Sequence, residues 1–520
     1  MELSSRKKNV LLALALTAPV AAFAQGPITA VLKLKERVSL ETLAKNVQDP
    51  LSPRYGKYYT PDEIRDLAAP SPADYNSLIA DLKSEGFQVT NESKTHLWLT
   101  VKADPSVFER AFNTRVEFLS DDLHYNISEP MQAQDNTLAA SLVESVTGLD
   151  NTRKSHPRYY RANPLAPSAP TPVAPGGVPQ ATIKSAYGFN AIYQSGVSGK
   201  SQDIAIATYD GFYPADVQQF YQMSNLNPLP TVDQVQYNGT PTYNEDSAME
   251  TQLDAEFSGM IAPGASVHVF ASATNDDAGE LQMFTNILDD NRSKVVNYSW
   301  GDCEKNLTPQ HQKDMSAVFE RAIAQGVNIM VASGDSGSDA CNDGTTAADW
   351  PAASPDVVAV GGTTFQGDAT SPREAAWSGS GGGISAIWVL PTWQSSLGNP
   401  YVNRSYPDVS FNADPASGQA IWAHSSGVAN WVVIGGTSMA APQWSGFVAL
   451  VNAAREAKGK TAIGFLNPLL YSLSAAEKTA DFHDVISGNN GAYTAGAGWD
   501  AVTGWGSMQA DALLNQLVNL

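Results

Sequence analysis

Gly435-Gly436-Thr437-Ser438-Met439-Ala440-Ala441-Pro442 is the stretch on which the reading of this 520-residue chain turns. The glycine pair allows a tight turn that displays one serine, and Trp444 to Arg455 behind it has the spacing of an amphipathic helix. A helix N-terminus offers unpaired backbone N–H groups and a partial positive charge. That setting suits a nucleophile whose acyl adduct carries an oxyanion. Seven histidines, His96, His124, His156, His268, His311, His424 and His483, are scattered along the chain. None stands in an HGT-type segment, and His268 falls in a predicted buried strand. The serine must find its base elsewhere.

From about Ile183 onward, short apolar strands alternate with helices. Asp203–Thr208, Val267–Phe270, Val295–Ser299, Val327–Val331 and Val357–Val360 read as strands, while Pro214–Met223 and Thr308–Ala324 read as helices. Such a pattern predicts an α/β fold, a parallel sheet covered by helices on both faces, with sites at the carboxyl ends of the strands. The serine segment, GTSMAAP, is similar to the serine signature of subtilisin-like folds, so a subtilisin-like sheet is expected.

The preceding part divides differently. Arg6, Lys7 and Lys8, an apolar run from Val10 to Val20 and Ala22-Phe23-Ala24 predict a signal peptide over residues 1–24, too short to span a membrane comfortably. Residues 25–160 predict a smaller α+β unit, with a strand at Ile28–Leu34, helices at Leu40–Val47, from Pro61 and at Pro72–Glu85, and a strand around Leu97–Val101. Residues 153–180, rich in Pro, Ala and Gly and carrying Arg158 and Arg161, read as an exposed linker where proteolysis concentrates; within it 161–180 is the expected activation segment. Residues 181–520 form the larger domain. A net charge of −21 argues against nucleic acid and is compatible with an acidic medium. Cys303 and Cys341, the two cysteines, are expected to form one disulfide in an exported protein.

Three acidic positions compete for a role beside the serine. Glu250 and Asp254 are four residues apart on a predicted helix, so both carboxylates stand on one face. Spacing alone also describes a solvated acidic face; enclosed in a cleft, the pair would share a proton and raise one pKa. Asp335, in Ser333-Gly334-Asp335-Ser336-Gly337, follows a strand on a glycine turn, either as an ordinary Asp-Ser-Gly turn or as a neutral carboxyl donating to an oxyanion. Asp210 follows the first strand of the sheet, and without a histidine partner it reads as a loop-capping or cleft-lining residue.

These segments together resemble the sedolisin, or serine-carboxyl peptidase, family in its bacterial, prodomain-bearing form. The resemblance is carried by Lys57-Tyr58-Tyr59-Thr60-Pro61, Glu250-x-x-x-Asp254, Ser333–Gly337, Gly379-Ser380-Gly381-Gly382-Gly383-Ile384-Ser385, Pro407-Asp408-Val409-Ser410 and the Ser438 turn, in that order. It implies a ferredoxin-like inhibitory prodomain before a subtilisin-like catalytic domain. It also implies Ser438 as nucleophile, Glu250 as general base and acid, Asp254 orienting Glu250, and Asp335 as oxyanion donor. A carboxylate base works near its own pKa, and Asp335 must stay neutral, so an acid optimum is expected.

Asp484-Val485 and Gly496-Ala497-Gly498-Trp499-Asp500 place two carboxylates around glycine turns that can wrap a hard cation, although Asx-rich turns need no metal. The resemblance makes this a structural Ca2+ site of Asp484, backbone Val485, Gly496, Gly498 and Asp500. Tyr298-Ser299-Trp300-Gly301 and Gly381-Gly382-Gly383 could present edges to an extended peptide. The chain therefore reads as a secreted or periplasmic acid endopeptidase, made as a proenzyme and monomeric. Its partners would be protein or peptide substrates and its own prodomain as inhibitor, with no nucleic acid and no membrane anchor. The alternatives are a tripeptidyl-type exopeptidase and a non-catalytic, calcium-bound secreted binding protein.

Overall fold

The computed structural model describes residues 26–121, 123–128, 137–162, 176–398, 402–425 and 427–520. The expected signal peptide and most of the 161–180 segment lie outside them. The N-terminal unit is built on an antiparallel sheet in the order Gln88–Glu92, Trp98–Ala103, Ile28–Leu34, Val143–Thr147. Alternation along Ile28–Leu34 turns Ile28, Ala30, Leu32 and Leu34 onto Tyr75, Leu78, Leu82 and Phe108, closing a core of its own. Val31 points the other way and joins Leu40, Leu43, Val47 and Trp98 in the core of the larger unit. The helix Pro61–Ala68 starts where the sequence predicts, with Pro61 in its first turn and a reciprocal Thr60–Glu63 capping box.

The larger unit is a twisted sheet in the order Thr231–Gln234, Ser266–Ala271, Asp203–Thr208, Val295–Tyr298, Asn328–Ala332, Val358–Phe365, Val409–Asn412, Ser507–Met508, Phe482–His483. All pairings are parallel up to Ser507–Met508, and the last is antiparallel. The strands are buried runs of Val, Ile and Ala, as a sheet covered on both faces requires. Glu245–Ile261 and Thr437–Glu456 pack against each other over this sheet. Cys303 and Cys341 are joined, with Cα atoms 4.9 Å apart. No helix among the described residues is long and apolar enough to cross a membrane.

Two expectations need correction. The helix after the serine turn begins at Thr437, so Ser438 lies in its first turn and not on a loop before Trp444. Pro442, four residues on, has no N–H to offer the Ser438 carbonyl. Residues 153–162 are not an exposed linker: Ser155 and Arg158 are buried, and His156–Pro157 and Tyr160–Arg161 pair with strands of the larger unit.

Candidate active site

The helix Glu245–Ile261 carries Glu250 and Asp254 one turn apart, both fully buried, which removes the solvated-face reading. Ser299, at the end of the strand Val295–Tyr298, donates its hydroxyl to Asp254 Oδ1 at 2.7 Å. Asn297 in turn donates to Ser299 Oγ at 3.0 Å and is held through its own oxygen by Ser445 of the serine helix, also at 3.0 Å. Burial drives the Asp254 pKa well above the carboxylate range, against hydrogen bonds from Ser299 and Asn297. Glu250 is also driven well up, first by burial and then by Asp254, while Ser438 and a backbone N–H pull it down. Ser438 Oγ lies 3.4 Å from the Ser299 carbonyl and within hydrogen-bonding range of Glu250, whose Oε1 has no well-aligned donor.

The first turn of the serine helix divides its free N–H groups between two tasks. Thr437 donates its N–H and its hydroxyl to Asp335 Oδ1, at 2.7 and 2.8 Å. The Ser438 N–H donates to the Arg158 carbonyl at 2.9 Å. Asp335 Oδ2 is buried and carries no hydrogen bond. Burial pushes Asp335 up to about 7, opposed by the two Thr437 donors and the Arg158 charge, so it is neutral in acid. Gly436 holds φ at +117° and has Arg158 O, Asp335 Oδ2 and Tyr159 Cα against the space where a Cβ would stand, so no other residue fits that turn.

The cleft in front of these groups is filled by the chain's own residues 155–161. The Arg158 N–H is shared between the Ser299 carbonyl and Glu250 Oε2, both at 3.1 Å. Ser155 exchanges two hydrogen bonds with the Asn275 side chain, at 2.9 and 2.8 Å. Further back, Arg153 Nε meets Asp277 Oδ1 at 2.5 Å and its Nη2 meets Glu280 Oε2 at 2.5 Å, with His311 Nε2 2.9 Å from the same Glu280 oxygen. Asp277, Glu280 and His311 converge closely enough to hold a cation, and a guanidinium sits there. Burial raises Glu280, but Arg153 and His311 outweigh it and hold it at about 2.

The structure thus brings Ser438, Glu250, Asp254 and Asp335 together. Asp210 is buried at the end of its strand; its carbonyl accepts the Thr251 hydroxyl at 3.2 Å, consistent with a cleft-lining residue. In the 484–500 segment the Gly498 N–H reaches Asp484 Oδ2 at 2.9 Å and the Gly496 N–H reaches Asp500 Oδ2 at 3.0 Å. His268 is buried between Asp203 and Asp233, a structural role. Sequence reasoning gave no role at the site to Arg158, Asp349 or the Ser299 hydroxyl. Arg158 was legible only as a basic residue between the two units.

Residues 15–152 match the Pro-kumamolisin activation domain, and residues 239–506 match the subtilase family. Kumamolisin of Bacillus sp. (strain MN-32) is 35% identical over 417 residues, 73% of this chain and 71% of that protein. Sedolisin of Pseudomonas sp. (strain 101) is 29% identical over 517 residues, 92% of this chain and 85% of that one. Tripeptidyl-peptidase 1 of Rattus norvegicus is 28% identical over 530 residues, covering 95% and 91%. Among solved structures, Pseudomonas sedolisin, a serine-carboxyl proteinase complexed with two molecules of pseudo-iodotyrostatin, superposes with a TM-score of 0.59 at 29% identity, covering 67% of this chain and 99% of that one.

Proposed function

The chain belongs to the sedolisin family of serine-carboxyl peptidases, and from that premise we propose that it is a secreted, acid-acting endopeptidase made as a proenzyme. The observation that carries the reading is the placement of Arg158, whose carbonyl rests on the Ser438 N–H beside Glu250 and Asp335. Residues 25–160 act as the inhibitory prodomain, 161–180 as the activation segment and 181–520 as the peptidase.

In this reading Ser438 Oγ attacks the substrate carbonyl carbon while its proton passes to Glu250. Asp254, anchored by Ser299, keeps Glu250 oriented and its proton affinity high. The developing oxyanion is held by the Ser438 N–H and by the proton of neutral Asp335. Glu250 then gives the proton to the leaving amine as the C–N bond breaks. A water, deprotonated by Glu250, hydrolyses the acyl ester and restores Ser438. The chemistry needs Asp335 protonated, as it is below about 7, and the coupled Glu250–Asp254 pair short of one proton, so that Glu250 can accept the serine proton.

Endopeptidase action is favoured over tripeptidyl release by the path of the bound segment. Five residues, 153–157, precede Arg158 in the cleft and are held as far back as Arg153, so the amino-terminal side runs on beyond three residues. A structural calcium ion fits the second acidic site. Its donors are all oxygens, the carboxylates of Asp484 and Asp500 and the carbonyls of Val485, Gly496 and Gly498, and the glycine turns have open space around them. The ion would brace the loop and take no part in the reaction.

Glu250→Gln and Ser438→Ala, assayed across pH on an N-terminally blocked, internally quenched peptide, test the proposal. Each variant should stay folded and lose at least about 10⁴-fold in kcat. Wild-type activity that peaked above neutral pH, or hydrolysis confined to peptides with free N-termini, would refute it in part or whole.

A further inference from the structure

We infer that the cleft selects a basic residue, arginine above lysine, on the carbonyl side of the bond it cuts, with Asp349 as the selecting group and Arg158–Tyr159 as its first natural substrate. The inference rests on the peptidase reading above and adds a substrate class to it.

Backbone contacts identify Arg158 as the residue that supplies the scissile carbonyl. Its carbonyl accepts from Ser438 and its N–H donates to Ser299, while Pro157 and His156 lie antiparallel to Trp300 and Gly301. The next residues, Tyr160–Arg161, pair with Ile434 and Gly435 on the other side, so the Arg158–Tyr159 bond sits between two strand-like grips. A segment lying across the cleft only to block it would not need its carbonyl on that donor.

The Arg158 side chain passes through a slot walled by two glycines. A Cβ on Gly301 would stand 3.0 Å from Arg158 Nη2 and 2.7 Å from Asp349 Oδ1, and one on Gly334 would stand 2.7 Å from Asp349 Oδ2. Side chains at either position would close the passage. At its end Arg158 Nη2 meets Asp349 Oδ2 at 2.6 Å, with both residues buried. Asp302 adds negative charge around the guanidinium.

Asp349 is fixed from behind. Its N–H donates to the Tyr406 hydroxyl at 2.7 Å, and its strand, Asp349–Trp350, pairs with Trp300–Cys303 beside the Cys303–Cys341 disulfide. Its Oδ1 is buried without a hydrogen bond. Burial pushes Asp349 up to about 8, opposed by the Arg158 charge. A basic side chain supplies both an opposing charge and hydrogen-bond donors, whereas a neutral aliphatic or acidic one leaves the buried Asp349 oxygens unpaired. In the precursor the contact is made to Oδ2 alone; a planar guanidinium has further N–H groups to offer the second carboxylate oxygen in a fixed fork, whereas a lysine ammonium is a point charge.

Cleavage of the chain's own bond then follows the mechanism above. Ser438 Oγ bonds to the Arg158 carbonyl carbon, the bond to the Tyr159 nitrogen breaks as that nitrogen takes the proton from Glu250, and water releases Arg158 as a carboxylic acid.

The test uses the full chain. The precursor is expressed, acidified, and its new termini are read by intact mass and N-terminal sequencing. The first cut should expose Tyr159; Arg158→Lys should retain that cut and Arg158→Ala should slow it at least about tenfold or move it. The matured enzyme is then given quenched peptides of the 155–161 sequence, with Arg161 replaced by alanine and position 158 set to Arg, Lys, Leu or Glu. The Arg peptide should exceed the Leu peptide at least about tenfold in kcat/KM, and Asp349→Ala should bring that ratio toward one, whatever its absolute rate. If Asp349→Ala does not fold, the wild-type ratio decides. Hydrolysis with Leu equal to or above Arg overturns the inference and leaves the peptidase reading standing. Hydrolysis of none of the peptides overturns both.

Discussion

The carbonyl oxygen of Arg158 accepts the backbone N–H of Ser438 at 2.9 Å, so the precursor holds one of its own peptide bonds in the place of a substrate. The reacting groups are supplied by one chain, at an effective concentration no second molecule can match. Maturation in acid should therefore be first order. Its half-time, followed by gel electrophoresis, should not change over about a hundredfold dilution of precursor; a half-time that lengthens in proportion to dilution would show cutting between molecules.

Asp335 sets the alkaline limb of activity. Burial pushes it up to about 7, so it keeps its proton through the acidic range and loses it as pH rises past neutrality. Asp335→Ala should cost about 10²–10³ in kcat. Asp335→Asn keeps both the acceptor for Thr437 and a donor that does not titrate, so it should retain more activity than the alanine variant and extend the pH–kcat profile upward. Identical alkaline limbs in wild type and Asp335→Asn would assign that limb to another group.

Arg153 ties the prodomain to the peptidase through Asp277 and Glu280. Glu280 is held at about 2 in the folded precursor, below the ordinary value of 4.5. The tie is thus fully present above pH of about 4.5 and is lost as pH falls toward 2. Arg153→Ala leaves buried acids without their cation, so the precursor should mature at a pH where the wild type stays latent. The measurement is processing rate against pH for both precursors; superimposable curves would remove Arg153 from control of latency.

Calcium removal should act on stability. With chelator present, the thermal midpoint of the matured enzyme should fall by several degrees, and Asp484→Asn or Asp500→Asn should abolish that response. A wild-type midpoint indifferent to both chelator and added calcium would leave the 484–500 loop as a set of hydrogen-bonded turns.

Much of the fold was legible because it is local. The alternation of Ile28–Leu34, the helix boundaries of Pro72–Glu85 and the strand Asp203–Thr208 are fixed by neighbouring residues, and the structure reproduces them. Glu250, Asp254, Asp335 and Ser438 were legible through their motifs. The Arg158–Asp349 pair was not, because the two lie 191 positions apart and nothing around either one announces the other. The segment 153–162 was misread for a related reason. Its polarity resembles that of an exposed linker, yet its charges are met by Asp277, Glu280, Asp349 and Asp246 across the chain. The antiparallel hairpin Gln419–Ser425 and Val428–Gly435, which delivers the chain to the serine turn, also escaped the sequence reading.

The two-sided grip on residues 155–161 separates cutting from release. Once the Arg158–Tyr159 bond is broken, the upstream end still pairs with Trp300–Gly301, and the downstream end still pairs with Ile434–Gly435. The prodomain keeps its own anchors as well: Ser145 and Thr147 on Asp314, both at 2.6 Å, and Tyr59 on the Ala324 carbonyl at 2.9 Å. None of these depends on the severed bond. The nicked molecule is therefore a non-covalent complex of enzyme and inhibitor, and the appearance of activity should show a lag behind the appearance of the cut.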